Sequence, residues 1–278
     1  MKARNFEVQG HRGARAARPE NTLSAFKYAL GLGVDTLELD LNVTKDNVLV
    51  VMHDPMLNPD ICLAPGGKKI TQPIVVRTLT LKELKKFDCG SLVHPRFPTQ
   101  VRQPGEKIPT FEEFLSWLKN EKNPRAKTVL LNVETKIEPA HPEQAPEPKA
   151  FAKLVIDMAK KYGVLERMTL QSFDFRTLVA AREMEPKIVI SALLEERPTT
   201  TLAEIASDLK AEIVSPDQTW LSRHDVDSLH AIGVKVIPWT ANKAEDWARL
   251  VSIGVDGIIS DDPKSLLEFR ESLLKLSQ

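Results

Sequence analysis

The sequence predicts an α/β protein, a (β/α)₈ TIM barrel with a small insertion after its second strand. Short apolar segments of strand length alternate with amphipathic helical segments along the whole chain. Strict alternation of this kind implies a parallel sheet, and eight such units in 278 residues favour closure into a barrel. An open doubly wound sheet is the alternative, but no G-x-G-x-x-G motif follows any predicted strand.

The predicted elements follow one another in a regular order. The strands cover residues 6–10, 36–43, 128–136, 168–173, 187–194, 212–215, 235–240 and 257–260. The helices cover residues 22–32, 111–120, 148–162, 175–184, 201–209, 223–232, 243–252 and 263–276. We expect Asn21 to cap the first helix and Thr110 the second, where Glu113 completes a capping box.

Residues 54–109 interrupt the alternation and predict an inserted subdomain within one domain that spans residues 1–278. The segment begins after a short extra strand at residues 48–52. Loops that follow barrel strands lie on the face that carries active sites, so the insertion is a candidate lid or substrate wall. It contains the two cysteines, Cys62 and Cys89, which are too few for a disulfide scaffold. We expect them to be free thiols, and a single bridge that closes a loop within the insertion is the alternative.

Composition limits the partners of the chain. Lys+Arg is 38 and Asp+Glu is 38, a net charge of +0 that argues against a nucleic-acid partner. No run approaches the ~18 apolar residues of a membrane span, so no stable membrane insertion is expected. Because strand-like residues begin at Phe6, we expect a cytoplasmic protein, or a periplasmic or secreted one if a signal peptide has been removed. The sequence leaves the oligomeric state open.

Carboxylates occupy one face of two strands that should be buried. Glu38 and Asp40 share a face of the second strand, and Glu134 shares a face of the third with Lys136. Buried carboxylates are costly unless a cation compensates them. If both faces point into the barrel mouth, the three carboxylates converge on a site for Mg²⁺ or Ca²⁺, which prefer hard oxygen ligands. Lys136 could neutralise this cluster or reach a substrate phosphate; an ion pair without metal is the alternative.

Two histidines lie where barrel strands end. His11 ends the first strand and is followed by Arg12, whose guanidinium suits phosphate recognition. His53 closes the extra strand. Either histidine alone could be structural, but two imidazoles beside carboxylates are a natural base and acid for displacement at a phosphodiester. The remaining histidines are expected on solvated loops and helices: His94, His141, His224 and His230.

Three further residues are weaker candidates for a substrate pocket. Gln171 and Phe173 lie near the end of the fourth strand, and Trp239 lies near the end of the seventh. Each of them could be ordinary core. Together they could form an aromatic rim around a small organic head group.

Several short motifs follow one another along the chain in an order typical of one enzyme family. They are His11-Arg12-Gly13, Pro19-Glu20-Asn21-Thr22, Glu38-Leu39-Asp40, Thr44-Lys45-Asp46, His53-Asp54-Pro55, Glu134-Thr135-Lys136, Trp239-Thr240 and Ile259-Ser260-Asp261. In combination they resemble the glycerophosphodiester phosphodiesterase family over nearly the whole chain. One departure is the run from Met56 to Asp60, where many members have a Leu-x-Arg-Thr-Thr-like run, so the resemblance does not define the head group.

The resemblance implies a TIM barrel with one divalent metal on Glu38, Asp40 and Glu134. It also implies that His11 and His53 form the acid–base pair that hydrolyses deacylated phospholipids to glycerol 3-phosphate and an alcohol. We expect Arg12 and Lys136 to bind the substrate phosphate. One alternative is a phospholipase D- or C-like enzyme on lysolipids. The other is a non-catalytic phosphodiester-binding barrel, and a protein that only binds has no need for both the two histidines and the three carboxylates.

Overall fold

The computed structural model, which describes residues 6–275, is a (β/α)₈ barrel, as the sequence predicted. Its strands are β1 (Glu7–Gly10), β2 (Thr36–Val43), β3 (Leu49–Val51), β4 (Leu63–Ala64), β5 (Lys68–Lys69), β6 (Leu130–Thr135), β7 (Met168–Ser172), β8 (Val189–Leu194), β9 (Ile213–Pro216), β10 (Lys235–Val236) and β11 (Gly257–Ser260). Its α-helices are α1 (Leu23–Leu32), α2 (Leu81–Leu84), α3 (Phe111–Asn120), α4 (Pro148–Tyr162), α5 (Phe175–Met184), α6 (Leu202–Leu209), α7 (Arg223–His230), α8 (Ala244–Ile253) and α9 (Pro263–Lys275). Short 3₁₀ helices cover Val76–Thr78, Pro124–Lys127, Pro142–Gln144 and Leu165–Arg167.

The barrel strands run in the order β10-β9-β8-β7-β6-β2-β1-β11, and neighbouring strands are parallel. Backbone hydrogen bonds close the ring beyond β10, where Ile259 N–H donates to the Pro238 carbonyl and Ala241 N–H donates to the Ile259 carbonyl. Hydrogen bonds to β9 continue beyond Pro238, where the Trp239 N–H donates to the Pro216 carbonyl, but neither Pro216 nor Pro238 has an N–H to donate, so the ladder loses its regular pattern after Val236. This explains why β10 is shorter than the predicted strand at residues 235–240.

The helix and strand ends differ from prediction at a few residues. The third barrel strand starts later than residue 128, because a 3₁₀ helix occupies Pro124–Lys127. Thr22, not Asn21, caps α1, since its side chain accepts from the Ala25 N–H. The Thr110 capping box is confirmed. Leu276, the last residue of the predicted final helix, lies outside the described residues.

The core lies between the barrel and its helices. Leu37, Leu39 and Leu41 of β2 are fully buried in it, and Phe26 of α1 packs edge-on against Phe114 of α3. Because side chains alternate along a strand, the residues between these leucines point into the barrel. Within residues 6–275, no helix combines the length and the hydropathy needed to cross a membrane.

The segment between β3 and α3 has an apolar cluster of its own. This cluster contains Leu57, Ile70, Val76, Leu84 and Phe87. The two ends of the segment meet on the barrel: the Val51 N–H donates to the Pro109 carbonyl, and Val50 forms a β-bridge with Thr110. Its later part returns to the loop after β1, where the Val101 N–H donates to the Ala17 carbonyl.

Cys62 and Cys89 form a disulfide, so the expectation of free thiols is wrong. Their neighbours Leu63 and Asp88 exchange two backbone hydrogen bonds of 2.7 and 3.0 Å. This antiparallel pairing brings the two cysteines to a Cα–Cα distance of 4.0 Å. The two cysteines are 27 positions apart, and no local pattern in the sequence indicates that they meet.

Reduction of this bridge should lower the free energy of unfolding by about 3 kcal/mol, because it releases a closed loop in the unfolded chain. The measurement is urea unfolding of oxidised and reduced wild-type protein. Because both forms contain the same two cysteines, the difference in the free energy of unfolding reports the bridge and not the loss of packed sulfur atoms. Thiol titration of the denatured, unreduced chain should find almost no free thiol. Two reactive thiols per chain would contradict the bridge.

Candidate active site

Three carboxylates meet at the carboxyl ends of β2 and β6. The two strands are paired in register, with Glu38 opposite Asn132 and Asp40 opposite Glu134. Ligand atoms of Glu38, Asp40 and Glu134 all lie within 4.8 Å of one another, and the three side chains are buried. The alternation of β2 therefore places on one side the carboxylates that the sequence singled out.

Two cations, the buried Arg12 and the half-buried Lys136, neutralise part of this cluster. The Lys136 ammonium lies 3.1 Å from Asp40 Oδ1 and 2.5 Å from Glu134 Oε1. The Arg12 guanidinium donates to Glu20 Oε1 at 2.7 Å, and its Nε lies 3.4 Å from Asp40 Oδ2. These contacts supply the compensating charge that buried carboxylates need.

The carboxyls of the cluster titrate differently from one another. Burial and repulsion by Asp40 and Glu134 raise the pKa of Glu38 well above its ordinary value. Burial also raises the pKa of Glu134 to about 7, although Lys136 opposes the shift. Burial alone would raise the pKa of Asp40, but Lys136 and other nearby cations outweigh it and hold that pKa well below its ordinary value. Burial thus disfavours the ionised form of Glu38 and Glu134, whereas the nearby cations favour the ionised form of Asp40.

The donor set fits a hard divalent cation. Asp40 Oδ1 and Glu134 Oε1 are buried and have no well-aligned hydrogen-bond donor, although the Lys136 ammonium lies close to both. Asn21 fixes the other Asp40 oxygen by donating to Oδ2 at 2.8 Å. Carboxylate oxygens held in this way are the ligands that Mg²⁺ and Ca²⁺ prefer. The cluster could therefore hold a divalent metal.

His11 follows β1 and is tied to a buried carboxylate. Its Nδ1 lies 2.5 Å from Asp261 Oδ1, and its backbone N–H donates to the Ser260 carbonyl. Burial lowers the pKa of His11 to about 4, although Asp261 opposes the shift. The ring is therefore neutral near pH 7, and Nε2 is the nitrogen left for a ligand.

His53 follows β3 and has a more exposed partner. Its Nδ1 lies 2.7 Å from Asp54 Oδ1, and the Asp54 side chain is 37% exposed. Asn58 donates to the second Asp54 oxygen at 3.1 Å. Burial and the Lys136 charge lower the pKa of His53, with Asp40 and Asp54 acting against them.

The predicted site residues surround one cavity of about 1060 Å³. Those that line it are His11, Arg12, Glu38, His53, Glu134, Lys136, Gln171, Phe173 and Trp239. Asp40 does not line it and is fully buried. The structure thus brings the predicted residues to one place at the carboxyl ends of the strands.

The pocket residues take different positions. Gln171 is buried and donates to Glu38 Oε1 at 2.9 Å, so it supports the carboxylate cluster. The rings of Phe173 and Trp239 meet edge to face, with centroids 5.5 Å apart. The Trp239 N–H donates to the Ser215 carbonyl, which fixes the indole. These two rings form an aromatic corner of the cavity.

His94 is buried, so the expectation that it is solvated is wrong. The insertion folds back over the barrel and places His94 Nε2 3.6 Å from Glu20 Oε2, with the His94 ring 4.8 Å from that of Phe97. Of the other three histidines, His141 and His224 are exposed, and His230 is half-buried beside Asp256. No role in the site was predicted for the residues that support it, which are Glu20, Asn21, Asp54, Asn58, Asn242 and Asp261. Asn21, Asn242 and Asp261 act across long sequence separations, and Asn21 was predicted only as a helix cap. Asp54 and Asn58 lie close to His53 in sequence, and that proximity could have indicated them.

Comparisons with known proteins agree over most of the chain. Residues 11–265 match the model of the glycerophosphoryl diester phosphodiesterase family. A glycerophosphodiester phosphodiesterase of Caldanaerobacter subterraneus subsp. tengcongensis is 32% identical over 94% of this chain and 96% of its own. A crystal structure from Silicibacter pomeroyi DSS-3, which carries a provisional glycerophosphoryl diester phosphodiesterase name, is 29% identical with a TM-score of 0.89 over 96% of this chain and 94% of that one. A phosphodiesterase of Oleispira antarctica, in complex with the product sn-glycerol-3-phosphate, has a TM-score of 0.78 at 22% identity over 95% and 96% of the two chains, which is a likeness of fold.

Proposed function

Because the chain belongs to the glycerophosphoryl diester phosphodiesterase family, we propose that it hydrolyses deacylated phospholipids to glycerol 3-phosphate and an alcohol, with two histidines and one divalent cation. The observation that carries this proposal is the buried cluster of three carboxylates in a cavity that two carboxylate-bound histidines also line. A binding barrel needs only a complementary surface. Paired imidazoles beside such a cluster suit proton transfer at a phosphodiester.

Glu38, Asp40 and Glu134 are the proposed ligands of Mg²⁺ or Ca²⁺. When bound, such an ion withdraws charge from a non-bridging phosphate oxygen. Arg12 and Lys136 line the same cavity, and we assign them to the phosphate. In the structure both side chains form ion pairs with carboxylates of the cluster. If a divalent cation compensated those carboxylates, Arg12 and Lys136 would be freer to bind the substrate phosphate.

His11 and His53 are the proposed acid–base pair. One imidazole accepts the proton of the attacking hydroxyl, from water or from the glycerol of the substrate, as the new bond to phosphorus forms. The other donates a proton to the alcohol oxygen as its bond to phosphorus breaks. If the glycerol hydroxyl attacks, these transfers form a cyclic phosphate, which water then opens to glycerol 3-phosphate by a second pair of proton transfers. The Nδ1 contacts with Asp261 and Asp54 support this assignment, because they leave Nε2 of each ring for these transfers.

The alcohol part of the substrate is assigned to the outer part of the cavity. Phe173 and Trp239 supply its aromatic corner. We propose that residues 54–109 are an inserted subdomain that forms the facing wall, since Pro55, Met56 and Arg96 also line the cavity. This wall contains the run that departs from the family pattern.

We also propose an exported location, the second of the two expectations from the sequence. The disulfide between Cys62 and Cys89 supports it, because such bridges persist in oxidising compartments and are rare in the cytosol. Thiol trapping of the protein in its native cells tests the proposal. A fully reduced pair in those cells would favour the cytoplasm.

A turnover assay on glycerophosphocholine tests the function. We expect release of glycerol 3-phosphate and choline in equal amounts in the presence of Mg²⁺ or Ca²⁺. Parallel incubation with lysophosphatidylcholine tests the phospholipase alternative, and faster turnover of that lipid would favour it. Saturable binding of glycerophosphocholine without turnover would instead indicate a binding barrel.

Activity should depend on pH as a bell-shaped curve whose acidic limb lies below about pH 6.5, the ordinary pKa of histidine. The imidazole that accepts a proton must be neutral, and burial lowers the pKa of His11 to about 4 and also lowers that of His53. As pH falls below about 6.5, the ordinary pKa of histidine, the imidazole that accepts the proton therefore stays neutral and activity is kept. Activity is lost at the lower pH at which this imidazole becomes protonated. The measurement is kcat/KM against pH in excess Mg²⁺, with circular dichroism to check folding. An acidic midpoint above pH 6.5 would contradict the prediction.

A further inference from the structure

We propose that Asp261 is the positioning residue for His11, and that Asn242 holds Asp261 in place. The inference rests on the proposed role of His11 in the reaction. Asp261 follows the last residue of β11, and Asn242 lies in the segment between β10 and α8.

The barrel closure brings Asp261 to His11. β1 and β11 are paired in parallel with Gly10 opposite Ser260, so the residues that follow each strand are neighbours. His11 Nδ1 consequently lies 2.5 Å from Asp261 Oδ1, although the two residues are 250 positions apart. The His11 N–H also donates to the Ser260 carbonyl at 2.9 Å, which fixes the backbone beneath the ring.

Asp261 has little freedom to move or to change charge. Asn242 donates to Asp261 Oδ2 at 2.8 Å, and its own side-chain oxygen accepts from the Asp261 N–H at 2.9 Å. Arg15 Nε lies 2.7 Å from Asp261 Oδ1, and the Asp261 side chain is 1% exposed. Burial would raise the pKa of Asp261, but His11 and Arg15 outweigh it and hold that pKa well below its ordinary value.

This arrangement selects one form of the His11 ring. An ionised carboxylate is an acceptor only, so the nitrogen that faces Asp261 must carry a proton. In the neutral ring Nδ1 therefore has the proton and Nε2 has the lone pair. Asp261 thus sets both the orientation and the tautomer with which His11 faces the cavity.

Two other histidine–carboxylate pairs in the chain serve as comparisons. Asp54, the partner of His53, is 37% exposed, so water can partly replace it. Asp256 lies 2.8 Å from His230 Nε2 and also accepts from the Val236 N–H, but neither Asp256 nor His230 lines the cavity. Asp256→Asn is therefore a matched control for the loss of a histidine–aspartate contact away from the site.

Asp261→Asn should lower kcat by about 10²–10⁴-fold and change KM by only a few-fold, because the amide can donate to Nδ1 and favour the wrong tautomer. Asp256→Asn should keep the wild-type kcat. Asp54→Asn should lose less than Asp261→Asn, because Asp54 is the more exposed partner. Asp261→Glu, which restores the charge, should recover part of the loss.

Nitrogen-15 NMR of histidine-labelled enzyme with Mg²⁺ reads the tautomer directly. We expect a protonated Nδ1 on His11 in the wild type and a shift toward protonated Nε2 in Asp261→Asn. If that variant does not fold, Asn242→Ala keeps the carboxylate but removes the hydrogen bonds that hold it toward His11, and it should lose about tenfold in kcat.

The outcomes distinguish the positioning role of Asp261 from the proposed function of His11. If Asp261→Asn keeps kcat within about threefold of wild type, or if its His11 tautomer is unchanged, the positioning role is wrong. If His11→Ala itself keeps wild-type turnover, the proposed function of His11 fails first. Loss of activity in His11→Ala with full activity in Asp261→Asn would overturn only the positioning role.

Discussion

Removal of divalent cations should abolish turnover of glycerophosphocholine, and Mg²⁺ or Ca²⁺ should restore it. The expectation follows from a buried cluster in which the pKa values of Glu38 and Glu134 are raised, and in which Asp40 Oδ1 and Glu134 Oε1 lack well-aligned donors. Activity is measured after dialysis against chelator and again during graded addition of each metal. Full activity of metal-stripped enzyme in excess chelator would contradict the prediction.

Glu134→Gln should weaken metal binding on the order of tenfold or more while leaving the fold intact. The amide keeps the shape of the Glu134 side chain. Burial raises the pKa of Glu134 to about 7, so loss of the negative charge should cost the fold little. Calorimetric titration with Mg²⁺ and urea unfolding separate the two effects. Glu143→Gln, an exposed residue of the loop after β6 that does not line the cavity, is the matched control and should change neither. Unaltered metal affinity in Glu134→Gln would remove that residue from the ligand set.

His11→Ala and His53→Ala should each lower the rate by about 10²–10⁴-fold, the scale for loss of a general acid or base. An alkoxide leaves slowly near neutral pH unless a proton reaches it, and the nucleophile must lose a proton in the same reaction. The two losses should not add fully in the double variant, because the residues act together. Steady-state rates on glycerophosphocholine give the comparison. A variant with the wild-type rate would show that its histidine is structural.

A substrate with p-nitrophenolate as its leaving group distinguishes the two histidines. This group leaves without protonation, so loss of the acid should be largely rescued and loss of the base should not. His230→Ala, at a half-buried histidine that does not line the cavity, should behave as wild type on both substrates. Equal rescue of both active-site variants, or of neither, would contradict the division into acid and base.

Local patterns in the sequence were sufficient for the barrel and for the centre of the site. Alternating strand and helix signals depend on neighbouring residues, and they place the strand ends on one face of a closed sheet. A period of two is enough to put Glu38 and Asp40 on the inner face of β2. The register of β2 against β6 then brings Glu134 beside Asp40.

The residues that support the site depend on contacts that no local pattern contains. Asn21 looked like a helix cap, yet its φ of 56° turns its side chain toward Asp40. His94 looked solvated because the path of the insertion over the barrel is set by tertiary packing. The bridge between Cys62 and Cys89 likewise depends on a β-bridge between distant segments. Such contacts are set by the closed fold, which composition and spacing do not encode.

The meeting of the two ends of the insertion has an evolutionary consequence. Because the Val51 N–H donates to the Pro109 carbonyl, the chain leaves the barrel and returns to it at one point. A segment anchored in this way can lengthen, shorten or be exchanged at small entropic cost, since loop closure depends only weakly on length. The carboxylates and His11 belong to the barrel, whereas Pro55 and Met56 belong to the segment. With the proposed substrate wall on residues 54–109, we expect descendants of this chain to change the alcohol they accept by altering the segment, while the barrel residues of the site are inherited unchanged.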